Sequence, residues 1–148
     1  MNKTLACTFN LLASVILMVL GIIYLFNPQY MPYHRQAVSL PWEEVPMEFQ
    51  KLILALMKAL GGAYLAVGIT ISLLQIQVNK TRNTLAVIII FVSGIVVTIS
   101  SLYASLLVRI NTPGKAPYYL ALLGGILLIA GLYYNIKQTK AHKKSATC

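Results

Sequence analysis

The chain has 148 residues, enough for one domain, and 58% of them are hydrophobic against only 10% charged, far from a water-soluble composition. Its net charge of +9 would suit nucleic acid, but the basic residues sit between apolar blocks as topology signals, which excludes that partner. Two cysteines, Cys7 and Cys148, with no Cys-x-x-Cys, cannot make a disulfide framework or a redox motif.

A bilayer's hydrocarbon is crossed by about 20 apolar residues at 1.5 Å rise per residue. Four stretches meet that length: Leu5–Phe26, Phe49–Leu74, Thr84–Val108 and Pro117–Ile136, none with an Asp, Glu or Arg inside it. The sequence therefore predicts a single all-α integral membrane domain over residues 1–148. Its expected form is a four-transmembrane-helix up-down bundle, with an outer interfacial loop between helices 1 and 2 and a basic cytoplasmic tail over 137–148. The first block is longer than the apolar run of a signal peptide, about 7–15 residues, and no small-residue cleavage site follows it, so it reads as a retained span.

Helix 1 should stop at Asn27-Pro28, because proline disfavours a helical residue before it. In the following loop, Gln29 to Glu48, the amphipathic rings of Tyr30, Tyr33 and Trp42 suit the head-group level, and His34-Arg35 reads as an interfacial anchor. Ser39 before Pro41-Trp42-Glu43-Glu44 resembles the start of a short helix, with acids at its positive end. Pro46 is expected to open helix 2, with Glu48 in the first turn.

Lys58 in helix 2 is the only charge deep inside the four blocks, Lys51 lying at the very start of the same block, and the only carboxylates, Glu43, Glu44 and Glu48, lie just before that block. It falls roughly 10 Å below the helix start, and side chains lean toward the helix N-terminus, so its ammonium is expected to point toward Glu48 and the loop. A lysine at mid-membrane costs about 2.5–3.5 kcal/mol and less when it snorkels, so a structural lysine and a contact to an anionic ligand or lipid both stand. The candidate ligand-binding set is Lys58, Lys51, Glu48, Glu44, Gly62 and Arg35.

A polar turn, Gln77 to Asn83, is expected between helices 2 and 3, and a Pro-Gly turn, Asn111 to Lys115, between helices 3 and 4. Small residues let membrane helices approach closely. Ala55, Ala59 and Ala63, Gly62 with Ala66, and Ala121 with Gly125 therefore read as packing seams. Gly94, Thr98, Ser101 and Ser105 form a small polar stripe on helix 3, a seam or the wall of a polar cavity. Leu60-Gly61-Gly62-x5-Gly68 and Leu123-Gly124-Gly125-x5-Gly131 hint at a parallel internal repeat, although double glycines are common in membrane helices. The pairs Tyr118-Tyr119 and Tyr133-Tyr134 read as aromatic belts.

With the N-terminus inside, the inner segments carry seven basic residues, Lys3, Lys80, Arg82, Lys137, Lys140, Lys143 and Lys144. The outer ones carry four, Arg35, Lys51, Arg109 and Lys115. That bias predicts both termini in the cytoplasm. The absence of carboxylates from the spans disfavours a proton-coupled cation exporter. His34 and His142 lie outside the spans, which excludes a membrane haem held by two histidines, and no nucleophile-base pair or metal-ligand cluster is visible. No cofactor, no metal and no catalytic residue are expected.

At Gly21-Ile-Ile-Tyr-Leu-Phe-Asn-Pro28, and again at Met57-Lys-Ala-Leu-Gly-Gly-Ala-Tyr-Leu-Ala-Val-Gly68, the chain resembles small bacterial four-helix membrane proteins of the broadly DoxX-like group. The resemblance covers the first half of the chain and puts Lys58 at that group's basic position before a glycine run. It implies a four-span bundle in a bacterial inner membrane and brings no activity with it. The expected function is thus a non-catalytic membrane protein, accessory or binding a lipid or small ligand, with an outer-half site near Lys58. The alternative is a small oligomeric transporter or channel for an anionic or neutral solute. Membrane lipids are the expected partners, with a second copy or another membrane protein beside them.

Overall fold

The computed structural model describes residues 2–146, with side chains described from Thr4 to Thr139. Those residues are all-helical: α1 (Asn2–Phe26), α2 (Pro32–Val38), a 3-10 turn (Trp42–Glu44), α3 (Met47–Thr81), α4 (Thr84–Asn111) and α5 (Tyr118–Ala146). Four of the helices are long and apolar enough to cross a membrane. Their outward faces carry Leu52, Leu56, Leu73, Ile99, Leu107 and Ile126, all exposed, as lipid-facing positions require and a water-soluble surface would not tolerate in such number. The side chains of Lys3 and of the tail from Lys140 onward, and the whole of Cys148, lie outside what is described.

Helix α1 packs on α3 and α5, and α4 packs on α5 and α3. Glycines set the closest of these contacts. A Cβ on Gly61 would lie 2.8 Å from both the Gly21 carbonyl and the Leu25 nitrogen, and one on Gly68 would lie 3.0 Å from the Ser14 carbonyl, so α1 and α3 nearly touch backbone to backbone. Gly94 accepts Leu128 of α5, and Gly125 accepts Thr98 of α4, so the expected α4 seam is present at those positions. The alanine row on α3 differs from expectation. Ala55, Ala59, Ala63 and Ala66 are exposed, because Gly61 and Gly68, on another face, make the contact with α1.

The loop before α3 is organised differently from the sequence expectation. A helix forms over Pro32–Val38, and Ser39 ends it in the left-handed region at φ 58° rather than starting a helix. The stretch that follows makes one 3-10 turn, and Gln50 Nε2 ties it to α3 by donating to the carbonyls of Trp42 and Val45, both at 2.9 Å. Tyr30 is buried there, its ring 4.8 Å edge-on to Trp42 and its hydroxyl donating to the Leu40 carbonyl. Gly114, in the turn before α5, comes so close to α2 that a Cβ would lie 2.7 Å from the Tyr33 carbonyl. The Lys115 amide donates to Gln36 Oε1 at 3.1 Å. These contacts fold α2 over the ends of the long helices.

The turn between α3 and α4 is shorter than expected. Helix α3 continues to Thr81, Arg82 caps it at φ 57°, and Asn83 Oδ1 accepts from the Leu85 amide at 2.9 Å to open α4. Gln75 and Val78 point into the bundle, which keeps this last stretch helical and buried.

Candidate functional site

Beneath α2 the long helices do not fill the space between them. An inner cavity of about 80 Å³ is bounded by Leu17 and Tyr24 of α1, Tyr64 of α3, Thr98 and Ser101 of α4, and Gly124 of α5. A second space, a groove of about 370 Å³, runs between α3 and α4 under α2, with walls that include Ile53, Met57, Leu60, Ala104 and Val108. The two share Tyr24, Tyr33 and Ser105, which therefore stand at the boundary between them.

Each hydroxyl arrives there through a local cause. Tyr24 lies in the last turns of α1, one helical turn after Gly21, where the α1–α3 contact is tightest. Tyr33 is carried by α2, and its hydroxyl hydrogen-bonds to that of Tyr24. Tyr64 is buried, with its ring centroid 6.1 Å from that of Tyr24 and its hydroxyl 2.7 Å from Ser101 Oγ. Thr98, Ser101 and Ser105 share one face of α4 through their spacing of three and four, so the stripe read from the sequence lines a cavity. Gly124 faces that cavity as well: a Cβ added there meets nothing within 4 Å.

Burial pushes the Tyr33 phenol well above its ordinary range, so it stays protonated and able to donate. His34, whose ring centroid is 4.2 Å from that of Tyr33, lines the groove, and burial holds its imidazole below the usual histidine range. Its Nδ1 accepts from the Met31 amide at 3.3 Å, a bond that requires the nitrogen to be unprotonated. The neutral form therefore belongs to the folded chain. Among the described residues no Lys, Arg, Asp or Glu lines either space.

The six residues of the candidate ligand-binding set lie outside this lining. Lys58 is exposed, and its Nζ donates to the Leu25 carbonyl at 3.4 Å. It thus serves the C-terminal end of α1, where carbonyls lack helical partners and the dipole favours a cation. Glu44, Glu48, Lys51 and Arg35 are exposed, and Gly62 is half-buried, with open space where a Cβ would stand. None of these six lines the cavity or the groove. Tyr24 and Tyr64 carry no signal in the sequence, because a tyrosine within an apolar run counts as another apolar residue. Tyr33 has the sequence context of a head-group anchor, and only the fold of α2 turns it inward.

A second polar cluster lies toward the other end of the bundle. Gln75 Oε1 accepts from Asn10 Nδ2 at 2.7 Å and from Asn135 Nδ2 at 3.0 Å, and Gln75 Nε2 donates to Asn79 Oδ1 at 3.2 Å and Asn135 Oδ1 at 3.4 Å. Ser72 donates to Ser14 at 2.9 Å beside it. Gln75, Asn10 and Asn135 are fully buried, so this amide layer joins α1, α3 and α5. Asn10 Oδ1 has no hydrogen-bond partner among the described residues and packs on Gly131. Among those residues, too, no group of three or more His, Cys, Asp or Glu is placed to hold a metal.

No family model, curated protein or solved structure matches the chain.

Proposed function

We propose that this chain is a multi-pass membrane protein with an up-down bundle that binds a lipophilic molecule without transforming it, admitting it from the bilayer through the groove between α3 and α4. The observation that carries the reading is the shared boundary: a groove of about 370 Å³ meets an inner cavity at a pair of tyrosine hydroxyls. Its volume lies within the range of about 300–1,000 Å³ typical of ligand pockets. Leu56 and Leu60 line the groove and are also exposed, so its wall continues onto the lipid-facing surface.

Binding is favoured over turnover by the lining itself, which offers hydroxyls and one imidazole but no carboxylate to orient that imidazole as a base. The packing below the cavity, where Ile71, Ile90 and Leu128 are buried above the Gln75 layer, argues against a path through a single copy. In this reading the loop and α2 face outward, both termini are cytoplasmic, and the membrane is a bacterial inner membrane, as the basic residues and the DoxX-like resemblance suggest. Lys58 then stabilises the wall of the site and does not contact its occupant.

The test is native mass spectrometry of the protein released from lipid nanodiscs. Ala104→Phe fills the groove from an exposed position, and Gly124→Val fills the cavity from one with free space. Both variants should keep their helicity and thermal stability while retaining several-fold less co-purifying lipophile than the parent. Undiminished retention in both would sink the assignment.

A further inference from the structure

Few polar side chains line the two spaces, and they gather about the shared boundary: His34 packs on Tyr33, and Thr98 stands one turn from Ser101. The phenols of Tyr24 and Tyr33 meet at the boundary, the Tyr64 and Ser101 hydroxyls bond to each other on the cavity side, and apolar side chains such as Met57, Leu60 and Val108 line the groove beyond. A guest must therefore offer one small polar group to the boundary and hydrocarbon everywhere else. The cavity sets the size of that group. At about 80 Å³ it holds a hydroxyl and a short segment of chain, given that one water needs about 10–15 Å³, and it cannot hold a bulky head group.

Charge is excluded by what the lining lacks. The chain's cations toward this end, Arg35, Lys51, Lys58, Arg109 and Lys115, are exposed and line neither space. A carboxylate or phosphate drawn in would lose water and meet no counter-charge, which costs far more than burying a hydroxyl that finds a hydrogen bond. A phenol has one proton and two lone pairs. The Tyr24–Tyr33 bond uses one of the two phenol protons, so a guest hydroxyl can accept the other and donate in return.

We infer that the site selects an uncharged lipophile with a single hydroxyl, a long-chain alcohol, and rejects the carboxylate or phosphate on the same chain. This deepens the groove reading and rests on it. Four probes of equal chain length test it: hexadecan-1-ol, hexadecanoic acid, hexadecyl phosphate and hexadecane, each offered to the full-length protein in nanodiscs at neutral pH, with bound probe counted by native mass spectrometry. The alcohol should be retained at least about tenfold more than the acid or phosphate, as expected for an unpaired buried charge. It should also exceed hexadecane. Tyr33→Phe should bring the alcohol down to the hexadecane level while leaving hexadecane retention unchanged, and Ser105→Ala provides a second, smaller lesion at the same boundary. Retention of the acid or phosphate equal to the alcohol overturns the selectivity and leaves the groove as a lipophile site. Retention of none of the four overturns both.

Discussion

Gln75 illustrates how one side chain can hold a bundle together in a solvent that offers no hydrogen bonds. Its amide uses both its donors and its oxygen to link Asn10 of α1, Asn135 of α5 and Asn79 on its own helix. Replacing it with leucine removes the acceptor of two buried amide groups. Interhelical hydrogen bonds in membranes contribute about 0.6–1.7 kcal/mol each, so Gln75→Leu should cost about 1–2 kcal/mol, read as a lower unfolding midpoint in detergent. Asn79→Ala, at the rim of the cluster, should cost clearly less; equal losses would show that the layer does not act through Gln75. Lys58 teaches the converse. It is conspicuous in sequence because a charge in an apolar run is rare, yet its partner is a backbone carbonyl at the end of α1, a group that any residue carries and no sequence pattern marks.

Among the helices, the two glycine pairs show that matching patterns can serve different contacts. On α3 the first glycine of its pair, Gly61, meets α1, whereas on α5 the second, Gly125, meets α4; their partners Gly62 and Gly124 have open space. Gly68 and Gly131 both meet α1, at Ser14 and at Asn10, which is the part of the suspected repeat that shares a role. Adding a methyl therefore tests the packing directly. Gly61→Ala forces the α1 and α3 backbones apart and should cost about 1–3 kcal/mol, as overpacking does. Gly62→Ala should be neutral or mildly stabilising, since alanine favours helix over glycine. Equal unfolding midpoints for the two variants would contradict the α1–α3 crossing. The boundaries of the elements are less legible in the sequence. Gln77 to Thr81 extends α3 because Val78 within it is buried in the bundle, and Ser39 closes α2 in the left-handed region before the chain turns toward Trp42.

Across the whole molecule, the distribution of lysine and arginine carries a claim about sidedness that labelling can check. In a chain with Cys7 and Cys148 replaced by serine, Ser39→Cys should react with a membrane-impermeant maleimide on intact cells, and Thr139→Cys only after the membrane is opened. The reverse pattern would invert the bundle and place the groove's hydroxyls in the cytoplasmic half.

The sequence alone determined that the chain makes four helices of membrane length, that the first of them stops before Pro28, and which face of α4 is polar. Those properties follow from hydropathy and local backbone chemistry, and the bilayer enforces them by leaving no unpaired backbone group tolerable. Only the tertiary structure decided that Tyr24, Tyr33, Tyr64 and Ser101, drawn from four different helices, converge on one cavity while Lys58 turns aside to the end of α1. Convergence depends on how far each helix is rotated about its axis. That rotation is set by close contacts such as Gly61 on Gly21 and by the folding of α2 over the bundle, between residues distant in the chain.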